Sequence, residues 1–286
     1  MSDKTLTPPS RDIIERDVER ALAEDIGSGD VTADLLPALA TAKARVITRE
    51  SAVLCGTAWF DACFHQLDAA TRIQWQAADG DRVAAGSVLC TLSGAARSLV
   101  SAERAALNFL QTLSGTATAT AAYVDAARGT RTTVLDTRKT LPGLRAAQKY
   151  AVRAGGGRNH RIGLYDAVLI KENHIAAAGS ISAAIQRARA LHPDLLVETE
   201  VENFAELREA LAAGADRIML DEFELHELAH AVAEVGGRVP LEVSGSVALE
   251  RVRAIAETGV DFVSIGALTK HVRAIDLSMR IEIAKA

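Results

Sequence analysis

Charged and small polar side chains end the short apolar runs that recur in the second half of the chain. In sequence order they are Asp136, Lys171, Glu200, Asp221, Ser244-Gly245 and Gly266. Carboxylate oxygens such as those of Glu200 and Asp221 are ligands that a divalent cation prefers. Glycines allow a ligand to approach the backbone closely. If the runs are parallel strands, these residues meet at the edge of a sheet where α/β proteins place their ligands.

Residues 137–165 form a strongly basic segment. They include seven lysines and arginines and no Asp or Glu, in a chain whose formal net charge is −5. Arg138, Lys139, His160 and Arg161 lie beside strand ends or glycines, which favours contact with a ligand. The segment therefore indicates an anionic partner.

Two observations leave alternatives open. Arg145, Lys149 and Arg153 repeat every four residues along one helical face, and a solvated surface explains these three equally well. The carboxylates of Glu200 and Asp221 could neutralise nearby lysines instead of holding a metal. Taken together, the cations and the two carboxylates favour an anionic substrate and a metal-bound phosphate compound.

Six apolar runs alternate with helical segments after residue 130, which predicts βαβ units and a parallel sheet. The runs are 132–136, 166–171, 195–200, 217–221, 240–245 and 261–266. The later runs begin about 22 residues apart, a spacing typical of a closed or nearly closed barrel. Six runs rather than eight argue against a standard eightfold barrel. The first part of the chain is mixed: a helix over 11–25, strands and turns over 44–56 and 73–94, and a long helix over 101–127.

Composition excludes several classes of protein. The 286 residues are 49% hydrophobic and only 4% aromatic, which favours helix-rich α/β packing over a nucleic-acid platform. The negative net charge argues against nucleic-acid binding as well. Cys55, Cys63 and Cys90 lack metal-ligand spacing and indicate reduced, buried thiols in a cytoplasmic protein. Neither a signal peptide nor an apolar run of membrane-spanning length is evident.

The segment DTRKTLPGLRAAQKYAVRAGGGRNHRIGLYDAVLIKENH, residues 136–174, strongly resembles the signature region of the quinolinate phosphoribosyltransferase family. Segments 22–32, 101–118, 197–204 and 259–272 resemble the family in order and spacing, so the likeness covers nearly the whole chain. The resemblance implies an α/β fold with an N-terminal α/β sandwich domain over 1–115 and an open α/β barrel with parallel strands over 116–275. It also implies that residues 276–286 return to the first domain, and that homodimers share their active sites.

The resemblance also implies roles for individual residues. Quinolinate and phosphoribosyl pyrophosphate are the expected substrates, and Mg²⁺ is the expected cofactor. The expected catalytic residues are Lys139, Glu200 and Asp221, of which Glu200 and Asp221 also hold the metal. Quinolinate is expected to bind Arg138, His160, Arg161 and Lys171, together with Arg104 from the neighbouring subunit. The expected 5-phosphate site comprises Ser244, Gly245, Gly266 and Ala267.

The chain departs from the family pattern at Ser246, where glycine is usual, and at Glu222, where asparagine is usual. Related activities of the same fold remain alternatives: nicotinate phosphoribosyltransferase, and a paralogue found with molybdate-transport genes. The glycines of AVRAGGGRNHR lack the Gly-Lys-Ser/Thr of a P-loop and are interpreted as a flexible turn that delivers His160 and Arg161.

Three unrelated functions are weaker alternatives. The HELAH segment, 226–230, fits the zincin pattern, but His230 falls opposite the apolar stripe of its predicted helix. Residues 78–92 resemble a lipoyl-carrier hairpin, but no lysine lies between Lys43 and Lys139. Lys171 could form a Schiff base, as in an aldolase, although the surrounding cations favour a dianion.

Overall fold

The computed structural model describes residues 6–284, and it divides them into two compact units. The first unit comprises the described residues through Ala121, residues 140–156 and those from Thr269 onward. The second unit comprises residues 122–139 and 157–268. The predicted domains run 1–115, 116–275 and 276–286; their extreme residues, 1–5 and 285–286, lie outside the described part of the chain.

A four-stranded antiparallel sheet in the order β12-β1-β5-β3 organises the first unit. The strands are β1 (Thr41–Thr48), β2 (Ala52–Val53), β3 (Arg72–Trp75), β4 (Arg82–Val83), β5 (Val88–Ala95) and β12 (Leu277–Ile283). The helices are α1 (Arg11–Ile26), α2 (Thr57–Leu67), α4 (Arg145–Ala154) and most of α3 (Ala96–Ala126), with a 3₁₀ turn at Ala33–Leu35. Strands β2 and β4 form a separate antiparallel pair.

Alternating burial along β1 shows why this sheet packs on one side only. Ala42, Ala44 and Val46 are buried, whereas Lys43 and Arg45 between them are exposed. Because successive side chains of a strand point to opposite faces, one face joins the core and the other faces solvent. The three cysteines are buried in this core as free thiols. Burial raises the pKa of the Cys63 thiol to about 12, as the predicted inert thiols require.

Helix α4 contradicts the solvated-face explanation for part of the basic segment. Lys149 is only 3% exposed, and Arg153 lies over the ring of Tyr150 and donates to the carbonyl of Thr7. Lys149 is therefore covered within the first unit, whereas Arg153 stays exposed while making these two contacts. Spacing alone could not show this, because helical periodicity gives a face but not what packs on it.

Six parallel strands in the order β6-β11-β10-β9-β8-β7 form the second unit. They are β6 (Thr133–Leu135), β7 (Val168–Ile170), β8 (Val197–Val201), β9 (Arg217–Asp221), β10 (Leu241–Ser244) and β11 (Phe262–Ser264). The helices are α5 (Glu172–Ala178), α6 (Ile181–Leu191), α7 (Phe204–Ala212), α8 (Leu225–Val235) and α9 (Leu249–Glu257); the short α10 (Ala267–Lys270) begins in this unit.

Five of the six predicted runs contain one of these strands, and the remaining run, 195–200, ends one residue before the end of β8. No hydrogen-bonded pairing joins β6 to β7 among residues 6–284, so the sheet does not close. The predicted α/β fold with an open barrel is therefore confirmed, and so is the inference from six runs that the chain does not form an eightfold barrel. Within the same residues, no helix is both long enough and apolar enough to cross a membrane.

The strands of this sheet carry different chemistry on their two faces. On β8, Val197, Thr199 and Val201 alternate with Glu198 and Glu200, and all five residues are buried. Helices α6 and α7 pack against β8, and Ser180 and Asn203 cap these helices by accepting hydrogen bonds from N–H groups in their first turns. The opposite face, here called the inner face, carries the glutamates.

Candidate active site

Strand register brings the predicted site residues to one end of the inner face. Ser244 is the register partner of Asp221, and Glu200 is the partner of Met219, two residues before Asp221. Lys171 directly follows Ile170, the partner of Thr199, so it lies beside Glu200. Partners in a parallel sheet share a face. Four predicted residues therefore stand together at the carboxyl ends of neighbouring strands.

Lys171 and Glu200 form an ion pair across β7 and β8. The Glu200 side chain is nearly buried, whereas that of Lys171 is about half exposed. In this structure Glu200 therefore neutralises Lys171. This is the simpler of the two explanations that the sequence left open for the carboxylate of Glu200. Asp221 is partly exposed at the end of the next strand.

Lys139 lies directly against Gly266. A Cβ placed on Gly266 would be 2.9 Å from Cδ of Lys139 and 3.6 Å from Oγ1 of Thr137. The same hydroxyl accepts a hydrogen bond from the Lys139 backbone N–H at 3.1 Å. Glycine is required here because any side chain would displace the lysine. Ala267, the next residue, begins α10.

Arg138 and Arg161 bring two guanidinium groups close together. Burial lowers the pKa of Arg161, and repulsion from Arg138 lowers it further. Attraction to Glu198 and Asp166 acts in the opposite direction. Arg161 also donates a hydrogen bond to the carbonyl of Ala167 at 3.2 Å. Two neighbouring guanidinium groups, one of them held by the backbone, are suited to binding an anion with more than one carboxylate.

The glycines before this pair form a packed turn rather than a flexible one. A Cβ on Gly155 would overlap the carbonyl oxygen of Ala117, and Gly156 has a φ of 90°. The chain then pairs with β6, because Arg158 donates its N–H to Val134 at 2.9 Å. Steric demand and a left-handed backbone, not mobility, explain these glycines.

Asp136, which the sequence marks only as the end of a run, anchors the segment that follows these glycines. Its buried carboxylate accepts hydrogen bonds from the Asn159 side chain at 2.6 Å and from the His160 N–H at 2.9 Å. The carboxylate therefore fixes the backbone immediately before Arg161.

The His160 ring points into the sheet interior. Its Nδ1 accepts a hydrogen bond from the Arg161 N–H at 2.7 Å. Its Nε2 lies 2.8 Å from Oε2 of Glu198 and 3.6 Å from Oε2 of Glu242. Arg217 donates to the same Glu242 oxygen at 3.1 Å. These four side chains are called the inner cluster below.

Sequence analysis missed three of its four members. Glu198, Arg217 and Glu242 lie within apolar runs, and each lies two or four residues before a residue of the strand-end site. Their signal is an ionisable residue that precedes the carboxyl end of a strand buried on both faces. Within residues 6–284, His160, Glu198 and Glu242 also form a group close enough to share a metal ion, but Arg217 already neutralises one carboxylate.

The predicted phosphate site contains an unexpected carboxylate. Gly245 has a φ of 128°, and a Cβ there would lie 3.1 Å from Oε1 of Glu222. Glu222 itself has a φ of 54°, the one positive φ of a non-glycine residue in the described part of the chain. A backbone conformation that asparagine tolerates better than glutamate thus places a negative charge beside Gly245.

Other predicted residues and alternatives lie elsewhere. Arg104 is exposed on α3 of the first unit. The HELAH helix shows no zinc arrangement: His226 is exposed, and His230 packs on the ring of Phe204 with centroids 4.6 Å apart. Lys171 is paired with Glu200, and nothing in its surroundings favours the Schiff-base alternative.

Comparison with known proteins decides between the remaining interpretations. Residues 30–114 match the family model for the N-terminal domain of quinolinate phosphoribosyl transferase, and residues 116–280 match the model for its C-terminal domain. The chain belongs to the quinolinate phosphoribosyltransferase family.

Relatives from bacteria and plants agree with this membership. A nicotinate-nucleotide pyrophosphorylase [carboxylating] of Mycobacterium leprae is 43% identical over 272 residues, covering 92% of this chain and 95% of that protein. Quinolinate phosphoribosyltransferase [decarboxylating] 1 of Nicotiana glauca is 41% identical over 286 residues, covering 93% of this chain and 81% of that protein. The solved nicotinate-nucleotide pyrophosphorylase of Francisella tularensis is 48% identical with a TM-score of 0.93, covering 99% of this chain and 100% of that one.

Proposed function

We propose that this enzyme transfers the phosphoribosyl group of phosphoribosyl pyrophosphate to quinolinate with loss of CO₂. The products are nicotinate mononucleotide, pyrophosphate and CO₂, in the biosynthesis of NAD. Family membership over both domains supports the reaction. The guanidinium groups of Arg138 and Arg161, near enough to repel one another, support the choice of a dicarboxylate; Arg161 is in addition held by the carbonyl of Ala167.

Recognition of quinolinate rests on Arg138, Arg161 and Lys171. Each charge-assisted hydrogen bond contributes about 1.5–3 kcal/mol. The ion pair of Lys171 with Glu200 would open as a substrate carboxylate takes the place of Glu200. Nicotinate, with one carboxylate, would leave part of this cation set without a partner, so the site should discriminate strongly against it.

The reaction joins the pyridine nitrogen to C1 of the ribose while the bond from C1 to pyrophosphate breaks. The ring nitrogen then carries a positive charge next to the carbon that bears the 2-carboxylate. When CO₂ leaves, its bonding electron pair stays on that carbon, stabilised by the cationic ring, and a proton from solvent replaces CO₂. This chemistry needs no organic cofactor. Lys139 is proposed to neutralise the departing pyrophosphate.

Glu200 and Asp221 have the oxygen donors that Mg²⁺ prefers, on neighbouring strand ends of one face. We propose that they hold the metal and the ribose hydroxyls once Glu200 is released from Lys171. The metal, when bound, supplies positive charge that offsets the charge of the pyrophosphate. The two carboxylates also stabilise the positive charge that develops on the ribose ring.

Ser244, Gly245, Gly266 and Ala267 are proposed to bind the 5-phosphate. The approach of Lys139 to Gly266 supports this assignment, since it brings a cation beside the proposed phosphate site. His160 is proposed to contribute to quinolinate binding through its contact with Arg161.

A homodimer with shared active sites is also proposed. Leu164 and Tyr165, just after Arg161, are 75% and 74% exposed, and such apolar side chains commonly lie in interfaces. Arg104 is exposed, as a residue donated to a neighbouring subunit must be.

The predicted cytoplasmic location and the domain limits at 115 and 275 remain proposals. Antiparallel pairing of β12 with β1 supports the return of 276–286 to the first domain.

The test compares quinolinate with nicotinate as substrates for the purified protein with phosphoribosyl pyrophosphate and Mg²⁺. The proposal predicts a kcat/KM for quinolinate at least about a hundredfold higher, the size of one or two lost charge-assisted bonds. Comparable values for the two acids would favour nicotinate phosphoribosyltransferase. Turnover of neither acid would favour the paralogue associated with molybdate transport.

A further inference from the structure

The inner cluster lies one layer below the strand-end site. Glu198 precedes Glu200 by two residues on β8, and Glu242 precedes Ser244 by two residues on β10. Residues two apart on a strand share a face. The cluster is therefore deeper on the face that carries the proposed substrate residues, and its carboxylates are fully buried.

Direct contacts link the cluster to the anion-binding pair. The His160 ring accepts the backbone N–H of Arg161 on one side and meets Glu198 on the other. Glu198 is also close enough to attract the guanidinium of Arg161. A change in the charge of the cluster would thus be felt directly at Arg161.

The charges of the cluster balance only if it holds one extra proton. Arg217 offsets one of the two carboxylates. The remaining negative charge is cancelled when a proton resides on Glu242 or when His160 is an imidazolium. An unbalanced charge in a buried site is costly, so the cluster should retain this proton until solution pH forces its release.

The burial and the neighbouring charges determine the pH at which the cluster releases this proton. Burial and repulsion by Glu198 raise the pKa of Glu242 to about 7, against the opposing effects of His160, Ser264 and Arg217. Burial alone would lower the pKa of His160, but Glu198 and Glu242 together raise it. Two further charged groups lie near the cluster: Asp136, which binds the backbone of His160 rather than its ring, and Arg161, whose guanidinium is attracted by Glu198.

We propose that Glu198, Glu242 and Arg217 are positioning residues that act through His160, holding one proton whose presence keeps the floor of the quinolinate site neutral. This inference rests on the proposed function. Release of the proton leaves one net negative charge beneath Arg161 and weakens binding of the dianion. The affinity for quinolinate should then fall as pH rises through neutrality.

Steady-state kinetics between pH 6 and 9 test the inference in the wild type and in Glu242→Gln. Glutamine keeps the shape of the side chain and leaves Glu198 balanced by Arg217 without an extra proton. The wild-type KM for quinolinate should rise roughly tenfold across this range, the order expected for a unit charge near a dianion. The Glu242→Gln value should match the wild type at pH 6 and stay nearly flat.

Two controls separate this effect from a structural one. Glu234→Gln removes a carboxylate whose ion pair with Arg208 is remote from the site, and should keep the wild-type pH profile. The kcat of Glu242→Gln should remain within about threefold of the wild type, because KM rather than chemistry is affected. A pH-dependent KM that is identical in wild type and Glu242→Gln overturns the inference.

Calorimetry on the wild-type protein gives an independent answer if Glu242→Gln does not fold. Reciprocal linkage requires that quinolinate binding at pH 8 take up a proton. Titrations in buffers of different ionisation enthalpy should show an uptake of about half a proton per site, the amount that a tenfold change in affinity requires, and none in Glu242→Gln if it folds. No uptake by the wild type refutes the proposal. Product formation at pH 6 tests the proposed function separately.

Discussion

Substitution of Gly266 by alanine separates positioning of Lys139 from stability of the fold. The new Cβ would lie 2.9 Å from Cδ of Lys139, whereas non-bonded carbons separate at about 3.5–4.0 Å. The lysine must therefore move by about 0.6–1.1 Å. Its exposed, flexible side chain can do so with little change in the free energy of unfolding.

A displacement of about 1 Å in a reacting group can cost about a hundredfold in rate. We expect kcat to fall by about ten- to a hundredfold, with the melting temperature almost unchanged. Gly94→Ala is the matched control, because its Cβ would meet Oγ1 of Thr71 at 3.0 Å in the sheet of the first unit. That variant should keep its kcat. Steady-state assays with saturating substrates measure kcat, and thermal melts measure the melting temperature. A Gly266→Ala enzyme with wild-type kcat would show that Lys139 has no role in the chemistry.

Three further predictions address other parts of the site. Arg161→Lys loses the planar fork for a carboxylate, so kcat/KM for quinolinate should fall by about tenfold to a few hundredfold; a loss below threefold contradicts this role. Glu222→Asn removes the carboxylate beside Gly245 and eases a φ of 54°, so the KM for phosphoribosyl pyrophosphate should fall severalfold without loss of thermal stability, and an unchanged or higher KM counts against the assigned phosphate site. Subunit exchange between Arg104→Ala and Lys139→Ala should restore about a quarter of wild-type activity, because half of the mixed population carries one intact site of two; verified exchange without rescue would place Arg104 in its own subunit.

Periodicity and strand-end chemistry predicted the second unit well. All six strands and the open sheet follow from runs such as RIMLD and LLVETE, because parallel strands buried on both faces leave a strong apolar signal. The resemblance to the family assigned the strand-end residues. Register then placed Glu200, Asp221 and Ser244 on one face, as expected for the carboxyl edge of such a sheet.

Contacts between residues that are far apart in the sequence could not be predicted from periodicity or from strand-end residues. The burial of Lys149 depends on which residues pack over α4. The close approach of Gly155, at the end of α4, to Ala117 of α3 joins two helices that are far apart in the sequence. Glu198 and Glu242 were missed because they lie inside the strands, two residues before the strand-end residues Glu200 and Ser244 that drew attention. Only the register of β8, β9 and β10 brings them together around His160.

The release of CO₂ tests the proposed reaction most directly. Quinolinate labelled in its 2-carboxylate is incubated with phosphoribosyl pyrophosphate, Mg²⁺ and the purified protein. The account predicts labelled CO₂, unlabelled nicotinate mononucleotide and pyrophosphate in equal amounts, and none of these without phosphoribosyl pyrophosphate. A mononucleotide that retains the label, or turnover of nicotinate with no CO₂ from quinolinate, would contradict it.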